Sequence, residues 1–209
     1  MKPYLVKTPS ILKPLSKHLV WSFPTSERIV YLTFDDGPIP EVTPWVLETL
    51  AAYDALATFF CIGNNVHNHP HLLQDIIDKG HQVGNHTFDH INGWKCSEAD
   101  YLENVAKCSE VVQSNLFRPP YGKASRSQIA QLKDTYSIIM WDVLSADFDS
   151  NVSNEQCLKN VVNNVENGSI IVFHDSLKAE KKLRYALPKV LAHFQNLGYR
   201  FLPLPEKKN

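Results

Sequence analysis

The sequence lacks the features that mark a nucleic-acid binder or a membrane-spanning protein. Its 21 Lys and Arg residues are balanced by 22 Asp and Glu residues, so the formal net charge is only -1. Without a basic surplus, neither nucleic acid nor an anionic membrane is the expected partner. No apolar run reaches the roughly 20 residues that a transmembrane helix needs. A neutral small molecule or a glycan is therefore the expected partner.

Cysteine is also scarce, and its spacing excludes two common uses. The four cysteines are far apart and form no CxxC pair: Cys61, Cys96, Cys108 and Cys157. This spacing predicts reduced thiols in or near the core, and neither a disulfide framework nor a zinc knuckle. The N-terminal stretch is interrupted by Lys, Pro and Ser and does not resemble a secretory signal. We therefore expect a cytoplasmic location.

The 209 residues, 44% of them hydrophobic, suit one globular domain. Residues 1–27 contain four prolines and no regular period, so they are predicted to form an arm packed on a single domain of residues 28–209. The stretch 11–21 is loosely amphipathic. A membrane-surface role would fit that pattern, but covering the domain's own core fits it better.

Segments typical of helices and strands alternate after the first aspartates. Helices are predicted over 41–53, 71–79, 98–114, 127–133, 154–166 and 187–196. Strands are predicted over 28–32, 57–62, 82–83, 137–141, 169–173 and 199–202. This alternation favours a parallel sheet covered by helices. The polar residues of the best motifs follow these strands, and the carboxyl ends of parallel strands meet at one edge of a sheet. One site that draws on several strands is therefore predicted.

The stretch TFDDGP places two carboxylates, Asp35 and Asp36, where a buried strand emerges. Adjacent like charges repel, so a cation is expected beside them. The stretch GNHTFDH places His86 and His90 four residues apart, which would put both imidazoles on one face if the segment were a helical turn. Two histidines and an aspartate with open positions form a common catalytic metal site.

Other histidines and the remaining motifs leave alternatives open. A second cluster, in HNHPH, lacks a carboxylate partner, so solvated loop histidines are expected at His67, His69 and His71. The same is expected for His18, His81 and His193. Arg118 in RPPYG either positions one of the aspartates or pairs at the surface of a rigid turn. His174, at the end of SIIVFHD, is either a site residue or a neutral core histidine.

Five motifs occur in one order: TFDDGP, HTFDH, RPPYG, WDVLSAD and the strand ending in His174. In this order they resemble the NodB-like polysaccharide deacetylases, carbohydrate esterase family 4, from about Arg28 to Leu202. The resemblance implies an α/β fold, a distorted (β/α) barrel that is TIM-barrel-like with fewer than eight regular strands. It also implies a hydrolase that removes N-acetyl groups from an amino-sugar glycan or glycan precursor and releases acetate.

The resemblance also implies a role for each matching residue. Asp35 would be the base that deprotonates a metal-bound water, with Arg118 orienting it. The backbone N–H of Tyr121 would stabilise the oxyanion, and His174 would protonate the leaving amine. The implied metal ligands are Asp36, His86 and His90. Zinc is the expected metal, with cobalt, nickel and manganese as alternatives.

The sequence departs from the family pattern in the fourth motif. Leu144 stands where the family has the aspartate that would hold the catalytic histidine, and either Asp142 or Asp147 is expected to replace it. The substrate pocket is predicted to contain Pro120, Asp147, Phe148 and Val172. Two alternatives follow: the same machinery acting on a formyl group or an O-acetyl ester, or a degenerate member that binds glycan with impaired turnover. The oligomeric state is left open.

Overall fold

The computed structural model describes residues 4–9 and 17–205. The strands are β1 Leu19–Val20, β2 Ile29–Asp35, β3 Ala57–Cys61, β4 Gln82–Asn85, β5 Leu116–Phe117, β6 Ser137–Ile139, β7 Val143–Leu144, β8 Ile170–His174 and β9 Arg200–Phe201. The helices are α1 Thr43–Ala51, α2 Gly63–Asn68, α3 Pro70–Asp78, α4 Glu98–Ser109, α5 Arg126–Leu132, α6 Asn154–Val162 and α7 Glu180–Asn196. Within these residues, no helix has both the length and the apolar character of a membrane span.

The strands form one curled sheet in which every pairing between named strands is parallel. The order across the sheet is β1-β6-β5-β4-β3-β2-β8-β7, and β9 pairs with β2. Four of the strands, β1, β5, β7 and β9, are only two residues long. This irregular, helix-covered half-barrel confirms the predicted distorted (β/α) barrel.

Strand β2 shows how the sheet divides the core into two layers. Val30, Leu32 and Phe34 belong to the cluster that packs against the helices. Ile29 and Tyr31 belong to a second cluster with residues of four other strands, inside the curl. Because side chains alternate along a strand, Asp35 falls on the inner side with Ile29 and Tyr31. The sequence of β2 therefore directs one carboxylate into the barrel.

Residues near the N-terminus lie along both edges of the sheet. At one edge, the Leu144 N–H donates to the Val6 carbonyl and the Thr8 N–H to the Asp142 carbonyl. Lys7 forms an antiparallel bridge with Val143 in β7. At the other edge, β1 pairs with β6. Residues 6–8 and strand β1 therefore lie along the two outer edges of the sheet, which would pair with each other in a closed barrel. The division of the chain at residue 27 stays a prediction, and part of the amphipathic stretch lies outside the described residues.

Three helices differ in extent from the sequence prediction. The prediction began α7 at Leu187, but the helix begins at Glu180 and runs through Pro188. Buried Leu183 and Ala186 hold the earlier turns against the core, which outweighs the one hydrogen bond that Pro188 cannot donate. Helices α4 and α6 end before the predicted 114 and 166. Helix α2 and the two-residue strands β1, β5 and β7 were not predicted, because they are too short for their periodicity to be recognised, whereas β9 lies within the predicted strand 199–202.

One histidine prediction is wrong, and the prediction for the thiols is confirmed. His81 is buried, and its Nδ1 accepts a hydrogen bond from the Ala57 N–H at 3.2 Å. Its burial, at the N-terminal end of β4, lowers its pKa to about 4. All four cysteines are free thiols, and Cys96 is the one that is only half-buried.

Candidate metal and catalytic site

The polar residues of the motifs meet at the C-terminal edge of the sheet. Asp35 ends β2 and His174 ends β8, and the two are register partners. His86 follows β4, and Arg118 follows β5. Because all these strands are parallel, their carboxyl ends open on the same side of the molecule. The single site that the sequence predicts is therefore the arrangement that this topology produces.

Asp36, His86 and His90 form the one group in residues 4–9 and 17–205 whose donor atoms could hold a metal ion. One donor atom from each lies within 4.8 Å of the others. The Asp36 Oδ1 is 3.1 Å from the His90 Nε2 and 3.7 Å from the His86 Nε2. Two imidazoles and one carboxylate form the donor set of many catalytic zinc sites.

The protonation of these groups fits a cation. Burial lowers the pKa of His86 to about 4, so its ring is neutral at physiological pH. Its Nδ1 lies 2.7 Å from the Arg118 carbonyl oxygen. A carbonyl only accepts, so Nδ1 carries the proton and Nε2 offers its lone pair towards Asp36. Burial acts to raise the pKa of Asp36, but the His90 hydrogen bond and nearby histidine charges hold it below its usual range.

The segment that carries the two histidines is a loop and not the helical turn considered from the sequence. Thr87 and His90 have φ values of 62° and 53°, which a right-handed helix excludes. The Asn85 side chain accepts from the Thr87 N–H, and the Asn104 side chain accepts from the Phe88 and Asp89 N–H groups. These amides replace the hydrogen bonds that a helix would have made. Neither Asn85 nor Asn104 was identified from the sequence, because no sequence pattern shows that an asparagine side chain will hold a loop.

Asp35 and Arg118 form a buried ion pair inside the barrel. The Arg118 Nη1 lies 2.6 Å from the Asp35 Oδ1 and 2.7 Å from the Thr33 Oγ1. The rest of the guanidinium donates to the carbonyls of Ile139 and Met140. Arg118 is fully buried, so it does not pair at the surface as the alternative required. Its five donors fix the orientation of the Asp35 carboxylate.

Asp147 contacts His174 with both carboxylate oxygens. Its Oδ1 is 2.7 Å from the His174 Nδ1, and its Oδ2 accepts from the His174 backbone N–H at 2.8 Å. Burial alone would lower the pKa of His174, but the Asp147 carboxylate outweighs burial and raises it to about 9. The structure therefore puts Asp147 in the place left open by Leu144. This contact occupies Asp147, so it does not face an open pocket.

Asp142 is occupied elsewhere. Its carboxylate accepts from the Ser169 hydroxyl and the Ile170 N–H. The Lys7 ammonium lies 3.0 Å away on its other side. These contacts lie at the opposite end of β8 from His174. Asp142 therefore fastens the N-terminal segment and the start of β8, and takes no part in holding the histidine.

Tyr121 and Phe148 pack against different histidines of the site. The Tyr121 ring packs 4.7 Å from the His90 ring, and no described residue accepts a hydrogen bond from its backbone N–H. The Phe148 ring lies 5.1 Å from the His174 ring. Tyr4 supports Phe148 from behind, with 5.6 Å between ring centroids, and donates to Asp149. Of the other predicted pocket residues, Pro120 and Val172 are buried beneath this surface.

Backbone strain concentrates at the site. Six residues other than glycine have positive φ in the described part of the chain: Asp36, Asp54, Thr87, His90, Tyr121 and Ala146. Five of them are site residues or neighbours of one. Such conformations cost of order 1–3 kcal/mol each and persist where the surrounding structure enforces them. Their clustering independently marks this edge of the sheet as functional.

Asp175 is a buried residue of the site to which the sequence analysis gave no role. Its carboxylate accepts from the Thr43 hydroxyl at 2.6 Å and the Gly37 N–H at 3.1 Å. Burial raises the pKa of Asp175 to about 8. A Cβ on Gly37 would lie only 2.0 Å from the Asp175 Oδ2, so glycine is required at this contact. Asp175 thus holds the turn that presents Asp36.

The rival histidine cluster does not assemble a comparable site. His67 and His71 are exposed, and His69 is half-buried. The ring centroids of His69 and His71 are 6.1 Å apart. The one three-residue donor group of the described chain excludes all three of these histidines.

Comparison with known proteins agrees with this geometry. A family model described as polysaccharide deacetylase matches residues 23–136. A peptidoglycan-N-acetylglucosamine deacetylase of Bacillus cereus is 34% identical over 196 residues, covering 90% of this chain and 92% of the relative. A chitooligosaccharide deacetylase of Azorhizobium caulinodans is 33% identical over 204 residues, covering 86% and 94%.

The solved structures include a similar fold. A peptidoglycan N-acetylglucosamine deacetylase, crystallised in complex with 4-naphthalen-1-yl-N-oxidanyl-benzamide, superposes with a TM-score of 0.87 at 31% identity. The superposition covers 95% of each chain. These matches confirm the resemblance drawn from the five motifs. With a family model over more than half of its residues and a relative at 34% identity along nine-tenths of it, the chain belongs to the polysaccharide deacetylase family.

Proposed function

We propose that this chain is a divalent-metal-dependent hydrolase that removes N-acetyl groups from amino-sugar residues of a glycan. Removal of N-acetyl groups from such glycans is the chemistry of its family. The observation that carries the proposal is the arrangement of three units at one edge of the sheet: a metal donor group, a buried aspartate–arginine pair and a histidine–aspartate pair. Amide hydrolysis needs a base, an acid and oxyanion stabilisation, and this edge offers a candidate for each.

Asp36, His86 and His90 are the residues that would hold the metal, and zinc is the metal we propose from the two imidazoles. When bound, such an ion lowers the pKa of water from about 15.7 toward about 7 and polarises a carbonyl. The ion pair with Arg118 fixes Asp35, whose carboxylate would accept the proton of the attacking water. Because Arg118 also donates to Thr33 and to two carbonyls, the position of the guanidinium does not depend on its contact with Asp35.

The opposite side of the site would serve the departing amine. An amine leaves only after it gains a proton, and His174 can donate one from its Nε2 because its Nδ1 is held by Asp147. Asp147 keeps the ring oriented and stabilises its charged form. The Tyr121 N–H would donate to the oxygen that becomes negative, and one such donor is worth roughly 3 kcal/mol in enzymes where it has been removed.

The substrate is proposed to be a glycan that contains N-acetylated amino sugars. The relatives named above are deacetylases of peptidoglycan and of chitooligosaccharide, and both polymers have such sugars. The alternative of a degenerate member that binds glycan with impaired turnover rested on Leu144, which stands where the family has an aspartate. Because Asp147 contacts His174, Leu144 no longer argues for that alternative. Nothing in the site favours a formyl or O-acetyl substrate. A cytoplasmic location stays a prediction.

Acetate release tests the proposal. The purified protein is stripped of metal, then assayed on N-acetylglucosamine oligomers, muropeptides and acetylated xylan, before and after zinc or cobalt is restored. We expect release from the amino-sugar substrates only with metal present. Release from acetylated xylan alone would instead indicate O-ester hydrolysis.

The matched control is Asp35→Asn, which keeps the size and the buried position of the side chain. We expect it to retain the metal and to lose at least a hundredfold in kcat, a typical contribution of general base catalysis. Full activity in this variant, or no release from any substrate at full metal occupancy, would refute the proposed function.

A further inference from the structure

We infer that Trp94 and Lys123 form a subsite beside the metal group that binds a second, carboxylate-bearing sugar of the glycan chain. The inference rests on the proposed function, because it assigns a part of the substrate that lies outside the reacting acetyl group. It would make this enzyme prefer an acidic glycan, such as one with lactyl or peptide carboxylates, over a neutral oligomer.

The first observation is exposure. Six large apolar side chains of the described residues are exposed: Leu5, Ile77, Trp94, Tyr121, Leu177 and Leu197. Only Trp94 and Tyr121, at 66% and 60% exposure, are aromatic. The Tyr121 ring packs on the His90 ring, and Trp94, four residues after His90 in sequence, is hydrogen-bonded to Ala124, three residues after Tyr121. An exposed indole next to a reaction site is a ready surface for the apolar face of a sugar ring.

The second observation is that Trp94 is held in place although it is exposed. Its Nε1–H donates to the Ala124 carbonyl at 3.1 Å, and its backbone N–H donates to the Asn92 side chain. The Gly93 N–H donates to the Lys123 carbonyl, which ties this loop to the one after Tyr121. A ring that is already fixed loses little conformational entropy on binding. These contacts hold Trp94 in place while its ring stays exposed, as is needed for a residue that binds a ligand.

The third observation is the charge at the same place. The Lys123 Nζ lies 5.1 Å from the centroid of the Trp94 ring. Within residues 4–9 and 17–205, Lys123 has no carboxylate partner. A cation fixed near an aromatic surface can meet a sugar that stacks on the ring and carries an acidic substituent. The chemistry of the pair thus selects an anionic sugar in preference to a neutral one.

The kinetics of three variants test the subsite. With a carboxylate-bearing peptidoglycan oligosaccharide, Trp94→Ala is expected to raise KM about tenfold, as removing one stacking platform does elsewhere. The kcat and the KM for a single N-acetylglucosamine disaccharide should stay unchanged. Trp94→Phe, which keeps a ring, should recover most of the loss. Lys123→Met should raise KM for the acidic glycan and leave it unchanged for neutral N-acetylglucosamine oligomers.

Two surface variants serve as matched controls. Leu197→Ala removes an exposed apolar side chain at the end of α7, and Lys189→Met removes a lysine that lies 3.8 Å from the Tyr185 ring on the same helix. Neither should change KM for any glycan. An unchanged KM in Trp94→Ala would overturn the subsite, and equal effects of Lys123→Met on acidic and neutral glycans would overturn its preference for acidic sugars.

Binding measured without turnover separates this inference from the function on which it rests. Calorimetric titration of the zinc-loaded Asp35→Asn protein with the acidic glycan gives a Kd that does not depend on acetate release. If the wild type releases no acetate, the proposed function fails. If the Kd is the same with and without Trp94→Ala in this background, the subsite fails.

Discussion

At the scale of single residues, the Asp147–His174 contact sets the pH at which the site can supply a proton. The carboxylate stabilises the imidazolium, so it raises the pKa of His174 against the effect of burial. A proton donor must be protonated to act, so activity should fall as the pH rises through this pKa. The alkaline limb of the pH profile of kcat/KM therefore reports His174 in the free enzyme.

Asp147→Asn is predicted to move that limb to lower pH. Without the carboxylate the charged imidazole is less stable, so its pKa falls, and the donor loses its proton at a lower pH. A shift of about one unit or more is expected when a buried opposite charge at hydrogen-bond distance is removed. The measurement is kcat/KM for an N-acetylglucosamine oligomer as a function of pH.

Asp142→Asn is the control for this prediction, because Asp142 is also buried and belongs to the same motif, but its carboxylate binds Ser169, Ile170 and Lys7. Its alkaline limb should coincide with that of the wild type even if the variant is less stable. A limb that moves equally in both variants, or in neither, would mean that Asp147 does not set the protonation of His174.

At the scale of elements, the segment of residues 4–8 is attached to the domain by the ion pair of Lys7 with Asp142. The Asp142 side chain is almost fully buried, with 2% exposure, and the Lys7 side chain is 26% exposed. The Lys7 ammonium also donates to the Asn164 carbonyl. The pair therefore joins the N-terminal segment to β7, to the start of β8 and to the end of α6.

Lys7→Met is predicted to lower the free energy of unfolding by about 1 to 2 kcal/mol, because a buried carboxylate loses its cation while its other hydrogen bonds remain. Urea unfolding measures the change, and the slope m should stay the same. Lys189→Met, on the exposed surface of α7, should change the free energy by less than about 0.5 kcal/mol. Equal effects of the two variants would mean that the Lys7 contact does not stabilise the fold.

The elements also show what could be predicted from the sequence. Segments with strong periodicity or apolar runs, such as β3, β8 and α3, were predicted within one or two residues. The N-terminal half of α7 was missed, because its local signal at Pro188 opposes the tertiary contacts of Leu183 and Ala186 that decide the outcome. The two-residue strands β1, β5 and β7 exist only through their neighbours in the sheet, so no local pattern reveals them.

The same limit applies to the site. The residues brought together could be chosen from their chemistry and their positions after strands, as for Asp35, His86, Arg118 and His174. The residues that hold them in place, such as Asn104 and Asp175, could not be chosen in this way, because they act through contacts between segments distant in sequence. The choice between Asp142 and Asp147 also needed the structure, since Ala146, with φ of 60°, turns the chain between them.

At the scale of the whole molecule, metal binding should stabilise the fold. Asp36 follows β2, and His86 and His90 follow β4, which β3 separates from β2 in the sheet, so the donor residues are close together only in the native state. A ligand that binds the native state and not the unfolded chain raises stability by mass action. The metal is therefore expected to act on global unfolding as well as on activity.

Removing the metal is predicted to lower Tm by on the order of 10 °C relative to the zinc-saturated protein, from the stabilisation of a few kcal/mol that a tightly bound ligand gives. Thermal unfolding of stripped protein and of protein with zinc, cobalt, nickel or manganese measures this shift. His86→Ala should abolish it, and His71→Ala, from the exposed cluster, should preserve it. A shift that persists in His86→Ala would place the metal elsewhere.

Tyr4 packs against Phe148, so a residue far from the catalytic motifs in the sequence supports a predicted residue of the substrate pocket. The wall next to His174 rests on a residue that precedes the first motif by about thirty positions, and none of the groups proposed to move protons or hold metal contacts that residue. Because Phe148 is a predicted pocket residue, changes near the N-terminus are expected to adjust the size of acyl group that is accepted, while the groups proposed to break the bond keep their contacts. We therefore expect homologues with identical motifs to differ in specificity where they differ at the residue that supports Phe148.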